Sequence, residues 1–438
     1  MGRPKWYAIG EAVPGRWLPT AAAVTGTAAV GAYVTKVVQY RREARHTFHL
    51  SDPPAPGNPE FARLVEMWCG GPLRPGNRVD VLRNGAEIFP SMLDAIASAS
   101  RTIDFSTYIF WKGETATRFG EAFIERARAG VEVNVMVDGW GSAPMDRALV
   151  ARMQDAGVNF VWFRTPHWYT TQKLNNRTHR RIMVVDGSIG FTGGLGVADE
   201  WSGDAEGPKS WRETHLRIEG PAVRDLLGAF ADNWMEETGT VLSGPHLPPI
   251  AALDDGVEIQ LSKSSASQGR AAAESLFLAA IAGARERLWF TTAYFSPRQA
   301  LVDELAAAAG RGVDLRILVN GPHIDKQVVR RAGHRSYGQL LEAGVRLFEY
   351  QRTMMHAKVV VADDSWANVG TSNFDNRSLA LQDEMNCSVS DQGVVAELEK
   401  HFVEDFDDSE EIDFDRWRRR PLRSRAYESV SGAVRPSL

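Results

Sequence analysis

The feature that most constrains this chain is that it is written twice. The stretches "FSTYIF" (105–110), "GVEVNVMVDG" (130–139), "AGVNFVWF" (156–163) and "THRRIMVVD" (178–186) recur in the same order as "FTTAYF" (290–295), "GVDLRILVNG" (312–321), "AGVRLFEY" (343–350) and "MHAKVVVAD" (355–363). The β-branched runs that follow a Gly and end in a polar turn read as buried strands. Helical patterns such as "FPSMLDAIASAS" (89–100) and "AAAESLFLAAIAGA" (271–284) lie between them. Each copy is therefore expected to be an α/β half with a crossover-connected, at least partly parallel sheet. At 438 residues the chain also exceeds one ordinary core. This reading places an N-terminal region at 1–75, halves at 76–250 and 251–405, and a basic C-terminal tail at 406–438. The Pro- and Gly-rich stretch 243–256 is the expected linker.

The last matched block carries the chemistry. It holds His179, Arg181 and Asp186 in the first copy, and His356, Lys358 and Asp363 in the second. In a strand, residues i and i+2 share a face, so each histidine is expected beside its cation. A cation next to an imidazole disfavours the imidazolium, an unusual structural choice but a suitable phosphate pocket. Neutral imidazole can attack phosphorus, while Arg or Lys neutralises the non-bridging oxygens. The aspartates, just past the strands, are expected to pair with the cations. For 10 histidines, 50 Lys or Arg and 55 Asp or Glu in 438 residues, chance gives 10 × (50/438) × (55/438), or roughly 0.14 matches. Two matches at corresponding places in two repeats argue against a pair of capped core strands.

Further candidates follow at matching offsets. Gly193 and Gly194 stand 14 and 15 residues after His179, as do Gly370 and Thr371 after His356. Gly194, Ser372 and Asn373 are expected to contact phosphate oxygens. An attacking imidazole needs an acceptor on its second nitrogen to hold the reactive tautomer. Glu213 in "WRETHLRI" and Glu384 in "LQDEMN" occupy matching positions once "SGDAEG" (202–207) is taken as an insertion, and they are assigned this role.

Composition narrows the partners. A formal net charge of -5 argues against coating by nucleic acid, as does the absence of a basic stripe with interleaved aromatics outside the tail. Cys69 and Cys387 are too few and too isolated for a disulfide framework or a zinc site, and no metal or cofactor is expected. Residues 18–35 are eighteen consecutive uncharged positions, and a membrane anchor is expected at 18–38, with a cleaved export signal as the alternative reading. "DRWRRRPLRSR" (415–425) carries six arginines around one tryptophan, either a solvated helix face or a contact with anionic headgroups. His215 and His323 do not recur between the copies and are given ordinary polar roles.

At these residues the chain resembles the phospholipase D superfamily, whose signature is two copies of H-x-K-x4-D. "YIF", "VDGWGS", "HRRIMVVDG", "FTGG", "YFSP" and "GTSNFDNRSLALQDEMN" are most similar to bacterial cardiolipin synthases. The resemblance covers about residues 60 to 422. It implies two pseudo-symmetric α/β/α halves, each with a mixed, largely parallel sheet, sharing one metal-free active site. It also implies a covalent phosphohistidine, with His179 as nucleophile and His356 as acid and base. The implied reaction joins two phosphatidylglycerols, or a related phospholipid and alcohol. The basic residues Lys36, Arg41, Arg42 and Arg45 after the uncharged run, against Arg3, Lys5 and Arg16 before it, lean towards a cytoplasmic catalytic body at a bacterial inner membrane. Rival readings are a phospholipase D-type hydrolase, a nucleic-acid phosphodiesterase, and an inactive lipid-binding scaffold. Two departures lie in the first half: Arg181 replaces the family lysine, and Gly196 stands where Asn373 places an amide.

Overall fold

The computed structural model describes residues 50–165, 176–265 and 271–420. The expected anchor at 18–38, most of "HWYTTQKLNNR" (167–177) and the end of the basic tail lie outside these residues. The two copies build one fifteen-stranded sheet rather than two separate ones. From one edge the second copy contributes Ser409–Glu411, Arg346–Tyr350, Asp314–Asn320, Arg287–Thr291, Val359–Ala362, Trp366–Gly370, Glu384–Ser390 and Val257–Ser264. The first copy continues with Leu73–Arg83, Thr214–Glu219, Ile189–Gly193, Ile182–Val185, Thr102–Thr107, Glu132–Asp138 and Asn159–Phe163. Apart from the edge strand Ser409–Glu411, the order is a palindrome about the seam. There Leu73–Arg83 pairs antiparallel with Val257–Ser264.

The α/β halves are as expected, and their strands form a mixed sheet. The parallel share is smaller than expected: four neighbouring pairs are parallel and ten antiparallel. Parallel pairing is confined to the three outer crossover-connected strands of each half. The strand after each histidine instead returns through a short turn, and a hairpin can only pair antiparallel.

The histidine-following strands are buried on both faces. Met183 and Val185 enter the core of the first half, while Ile182 and Val184 enter a core shared across the seam. Val360 and Val359 divide in the same way between the second-half core and the shared one. This shared layer explains why residues from Leu50 onward form one compact unit.

Two expected boundaries shift. The helix Pro59–Cys69, drawn with the N-terminal region, buries Phe61, Val65 and Cys69 in the second-half core, with Phe61 edge-on to Trp366 at 5.5 Å. Burying side chains of this size contributes about 1.5–3 kcal/mol each. The tail likewise begins as structure: Ser409–Glu411 extends the sheet, and Trp417 packs 5.1 Å from the Tyr337 ring. The 243–256 linker is fastened, since His246 is buried between Asp104 (2.9 Å) and Glu132 (3.1 Å).

Candidate active site

Both histidines lie just ahead of their strands, in extended segments that pair across the two halves. Thr178 bridges Asp383, and the His179 N–H donates to the Asp383 carbonyl at 2.8 Å. In the other half Met354–Met355 pairs with Trp211–Arg212, and the His356 N–H donates to the Arg212 carbonyl at 2.8 Å. Each histidine is thereby laid beside the residue preceding the other half's glutamate. His179 Nδ1 lies 3.0 Å from both oxygens of Glu384, and His356 Nδ1 lies 2.6 Å from Glu213 Oε2. A carboxylate at Nδ1 holds the proton there and leaves Nε2 as the basic nitrogen.

Burial and the neighbouring cations disfavour the charged form of both imidazoles. Burial, then the Arg181 charge, holds His179 well below the usual range, and burial, then Lys358, pushes His356 down to about 3. Burial also brings Lys358 down to about 7. Burial drives the Glu384 carboxyl well up, against the opposing Thr371 hydroxyl and Arg181 charge. Glu213 feels the same burial, but Lys358 and His356 overcome it and hold its carboxyl below the ordinary value. The two histidine–glutamate pairs are thus geometrically alike and electrostatically unequal.

A cleft of about 540 Å³ opens over these pairs, lined by His179, Arg181, His356 and Asn373 among others. Arg181 is buried, and one arm donates to the His179 carbonyl at 2.6 Å, while its Nε and Nη2 have no partner. The Asn373 carbonyl oxygen is likewise buried and unpartnered. Lys358 Nζ stands 3.0 Å from His356 Nδ1 and 3.3 Å from Nε2. Unmatched buried donors cost about 1–3 kcal/mol each, a cost that an anionic ligand removes. Tyr108 stands edge-on to His179 at 5.3 Å, and Trp211 lies 5.0 Å from His356, so apolar rings wall the polar floor.

Of the residues expected at the site, His179, Arg181, Glu213, His356, Lys358, Asn373 and Glu384 come together here. Asp186 and Asp363 do not pair with the cations. Each sits at the far end of its strand with positive φ (51° and 54°), a backbone conformation that aspartate tolerates. Their carboxylates accept backbone N–H groups of Ser100, Arg101 and Thr102, and of Arg285, Glu286 and Arg287. They fasten the start of a neighbouring strand, because a four-residue strand separates them from the histidine end. Ser372 Oγ instead accepts an N–H from the Asn386 side chain at 2.8 Å. Gly194 is not among the residues that line the cleft, and a Cβ there would meet the Glu213 oxygens at 2.5 and 2.6 Å. Its lack of a side chain makes room for Glu213, where the second half has Thr371 donating to Glu384.

Gly196 has a comparable reason. A Cβ there would lie 2.8 Å from Trp201, which is fully buried, edge-on to His356 at 5.3 Å, with its indole N–H 3.4 Å from Glu213. The space filled by Asn373 in one half is filled by Trp201 in the other. Sequence reasoning missed Trp201, because it stands immediately before the insertion that breaks the repeat. It also missed Arg212, buried, paired with Asp405 at 3.0 Å and donating to the Glu213 carbonyl. The adjacency of Arg212 to Glu213 was the available signal. His215 is buried with Nδ1 unpartnered, and burial lowers it to about 3, so it is not a surface histidine.

Two crossed histidine–glutamate pairs and buried cations thus gather under one cleft on a duplicated α/β fold. Residues 92–221 and 277–406 both match the family described as cardiolipin synthase, PLD-like domain. A cardiolipin synthase of Geobacillus kaustophilus is 34% identical over 391 residues, spanning 88% of this chain and 77% of that protein. One from Alkalihalophilus pseudofirmus is 34% identical over 382 residues, spanning 86% and 75%. Among solved structures, the phosphatidylserine synthase of Haemophilus influenzae shares the fold, with a TM-score of 0.64 at 14% identity over 87% of this chain and 100% of that one. The chain belongs to the cardiolipin synthase family of phospholipase D-like proteins.

Proposed function

We propose that this protein is a membrane-associated phosphatidyltransferase that converts two phosphatidylglycerols to cardiolipin and glycerol through a phosphohistidine. The observation that carries the reading is the pair of crossed histidine–glutamate contacts facing one cleft beside Arg181 and Lys358. His179 Nε2 attacks the donor phosphorus, while His356, entering as the imidazolium that the bound phosphate anion favours, gives its Nε2 proton to the departing glycerol oxygen. The acceptor hydroxyl then attacks phosphorus, His356 takes its proton, and the P–N bond breaks with its electron pair returning to His179. The assignment is supported by the inequality of the pairs. Glu213, held ionised, supports an imidazolium on His356 against the burial and Lys358 charge that disfavour it, whereas Glu384, driven well up by burial, gives His179 less such support. Arg181 supplies two unpartnered N–H groups to the developing phosphorane charge, a role that guanidinium geometry fits.

Residues 18–38 are the proposed anchor, with the catalytic body on the cytoplasmic side of a bacterial inner membrane. Among the described residues no helix is long and apolar enough to cross a membrane. Purified protein in mixed micelles is expected to form cardiolipin and glycerol from phosphatidylglycerol and to trap labelled phosphatidyl groups on histidine. His179→Ala and His356→Ala should each abolish turnover in a folded protein. Phosphatidic acid as the sole product would make it a hydrolase, and robust cleavage of single-stranded DNA without lipid product would sink the lipid reading.

A further inference from the structure

Among the described residues, two cations that line the cleft, Lys326 and Arg377, are not used by the reaction at the histidines. Arg181 and Lys358 flank the imidazoles, and Lys326, at the exposed rim, lies over the Tyr294 ring at 4.7 Å. Arg377 is different. It lines the same cleft, is half-buried, and its side chain makes no hydrogen bond or ion pair among the described residues. Its backbone is fixed, because Asp375 accepts the Ser378 N–H at 2.8 Å and the Ser378 hydroxyl bonds Gln382 at 3.3 Å. A partly desolvated guanidinium on a rigid base, near enough for Asp375 to feel its charge but with no hydrogen bond or close ion pair of its own, leaves its N–H groups to an anion.

A single phosphate held between the histidines does not need it. The proposed reaction brings a second phosphate, because the acceptor phosphatidylglycerol carries its own phosphodiester. Three carbons and two oxygens separate that phosphorus from the one under attack, which at standard bond lengths is roughly 7 Å when extended.

Resting on the phosphatidyltransfer reading, we propose that Arg377 binds the phosphodiester of the acceptor lipid and so selects an anionic acceptor over water and neutral alcohols. Held there, the acceptor presents the terminal hydroxyl of its glycerol headgroup to the phosphorus on His179. The new P–O bond forms as the P–N bond breaks, the electron pair returns to Nε2, and the hydroxyl proton passes to His356. Arg377 touches none of the reacting atoms. It decides which alcohol arrives.

The test is a competition. Full-length enzyme in mixed micelles receives labelled phosphatidylglycerol together with butanol, and the ratio of cardiolipin to phosphatidylbutanol is read for wild type, Arg377→Lys and Arg377→Gln. The ratio is independent of how much active enzyme each preparation holds. Arg377→Gln should lower it by about tenfold or more, the loss expected for a charge-assisted contact, with the KM for phosphatidylglycerol as acceptor raised, and Arg377→Lys should restore part of it. A second measurement needs no variant: wild type offered 1-monoacylglycerol in place of butanol should still strongly prefer phosphatidylglycerol. An unchanged ratio in Arg377→Gln, or equal use of the uncharged monoacylglycerol by wild type, overturns the proposal while cardiolipin synthesis stands. Wild type that makes no cardiolipin overturns both.

Discussion

Gly194→Ala is the most direct probe of the site, since it adds one methyl group where the structure leaves no room for it. The new carbon would lie 2.5 and 2.6 Å from the Glu213 oxygens and 2.8 Å from the carboxyl carbon. Ordinary contact is about 3.5 Å, so the carboxylate must retreat by roughly 1 Å. That displacement stretches the 2.6 Å contact with His356 Nδ1 to the edge of hydrogen-bonding distance. A charge-assisted bond of this kind contributes about 1.5–3 kcal/mol, equivalent to a roughly 10- to 150-fold fall in rate. The colliding atoms are the tip of a side chain and not backbone, so the melting temperature should drop by only a few degrees. The assay is steady-state cardiolipin formation beside thermal unfolding of the same preparation. A kcat within about twofold of wild type would show that Glu213 does not act through this contact.

Thr371→Val removes the hydroxyl that donates to Glu384, and should cost about 1 kcal/mol in transition-state stabilisation, read as a roughly fivefold loss in kcat. Lys358, brought down to about 7 from 10.5 by burial, should give kcat/KM an alkaline limb near neutrality that Lys358→Arg moves upward. Its folded value lies below its unfolded one, so between these values the unfolded chain binds more protons and stability should rise with pH, a trend that Lys358→Met removes in chemical denaturation. Asp186→Ala should lower stability by about 1–3 kcal/mol through three orphaned N–H groups, with kcat per folded molecule retained; loss of kcat instead would return Asp186 to the site. Prolonged chelation of the purified enzyme is expected to leave turnover unchanged, and recovery on adding zinc or magnesium to a silenced sample would refute this.

The repeat made much of this protein legible. Local periodicity and a motif occurring twice are properties of contiguous residues, and they were enough to point to two α/β halves, the two histidines, Lys358 and a phosphate-directed chemistry. What they could not contain was any relation between segments distant along the chain. Glu384 lies 205 residues from His179 and Glu213 lies 143 from His356, and the pairing is crossed because the segment before each histidine lies against the segment before the other half's glutamate. A repeat is symmetric under exchange of its copies, so spacing does not distinguish partners within a half from partners across the seam. The same blindness misplaced Asp186 and Asp363. They are close to their histidines in sequence, yet a strand carries them to its opposite end, where backbone amides and not cations await them. In the sequence Gly194 reads as a phosphate contact and Gly196 as a departure from a pattern. Only packing reveals that one clears space for a carboxylate and the other for Trp201, since an excluded volume has no signature in the residue that is absent.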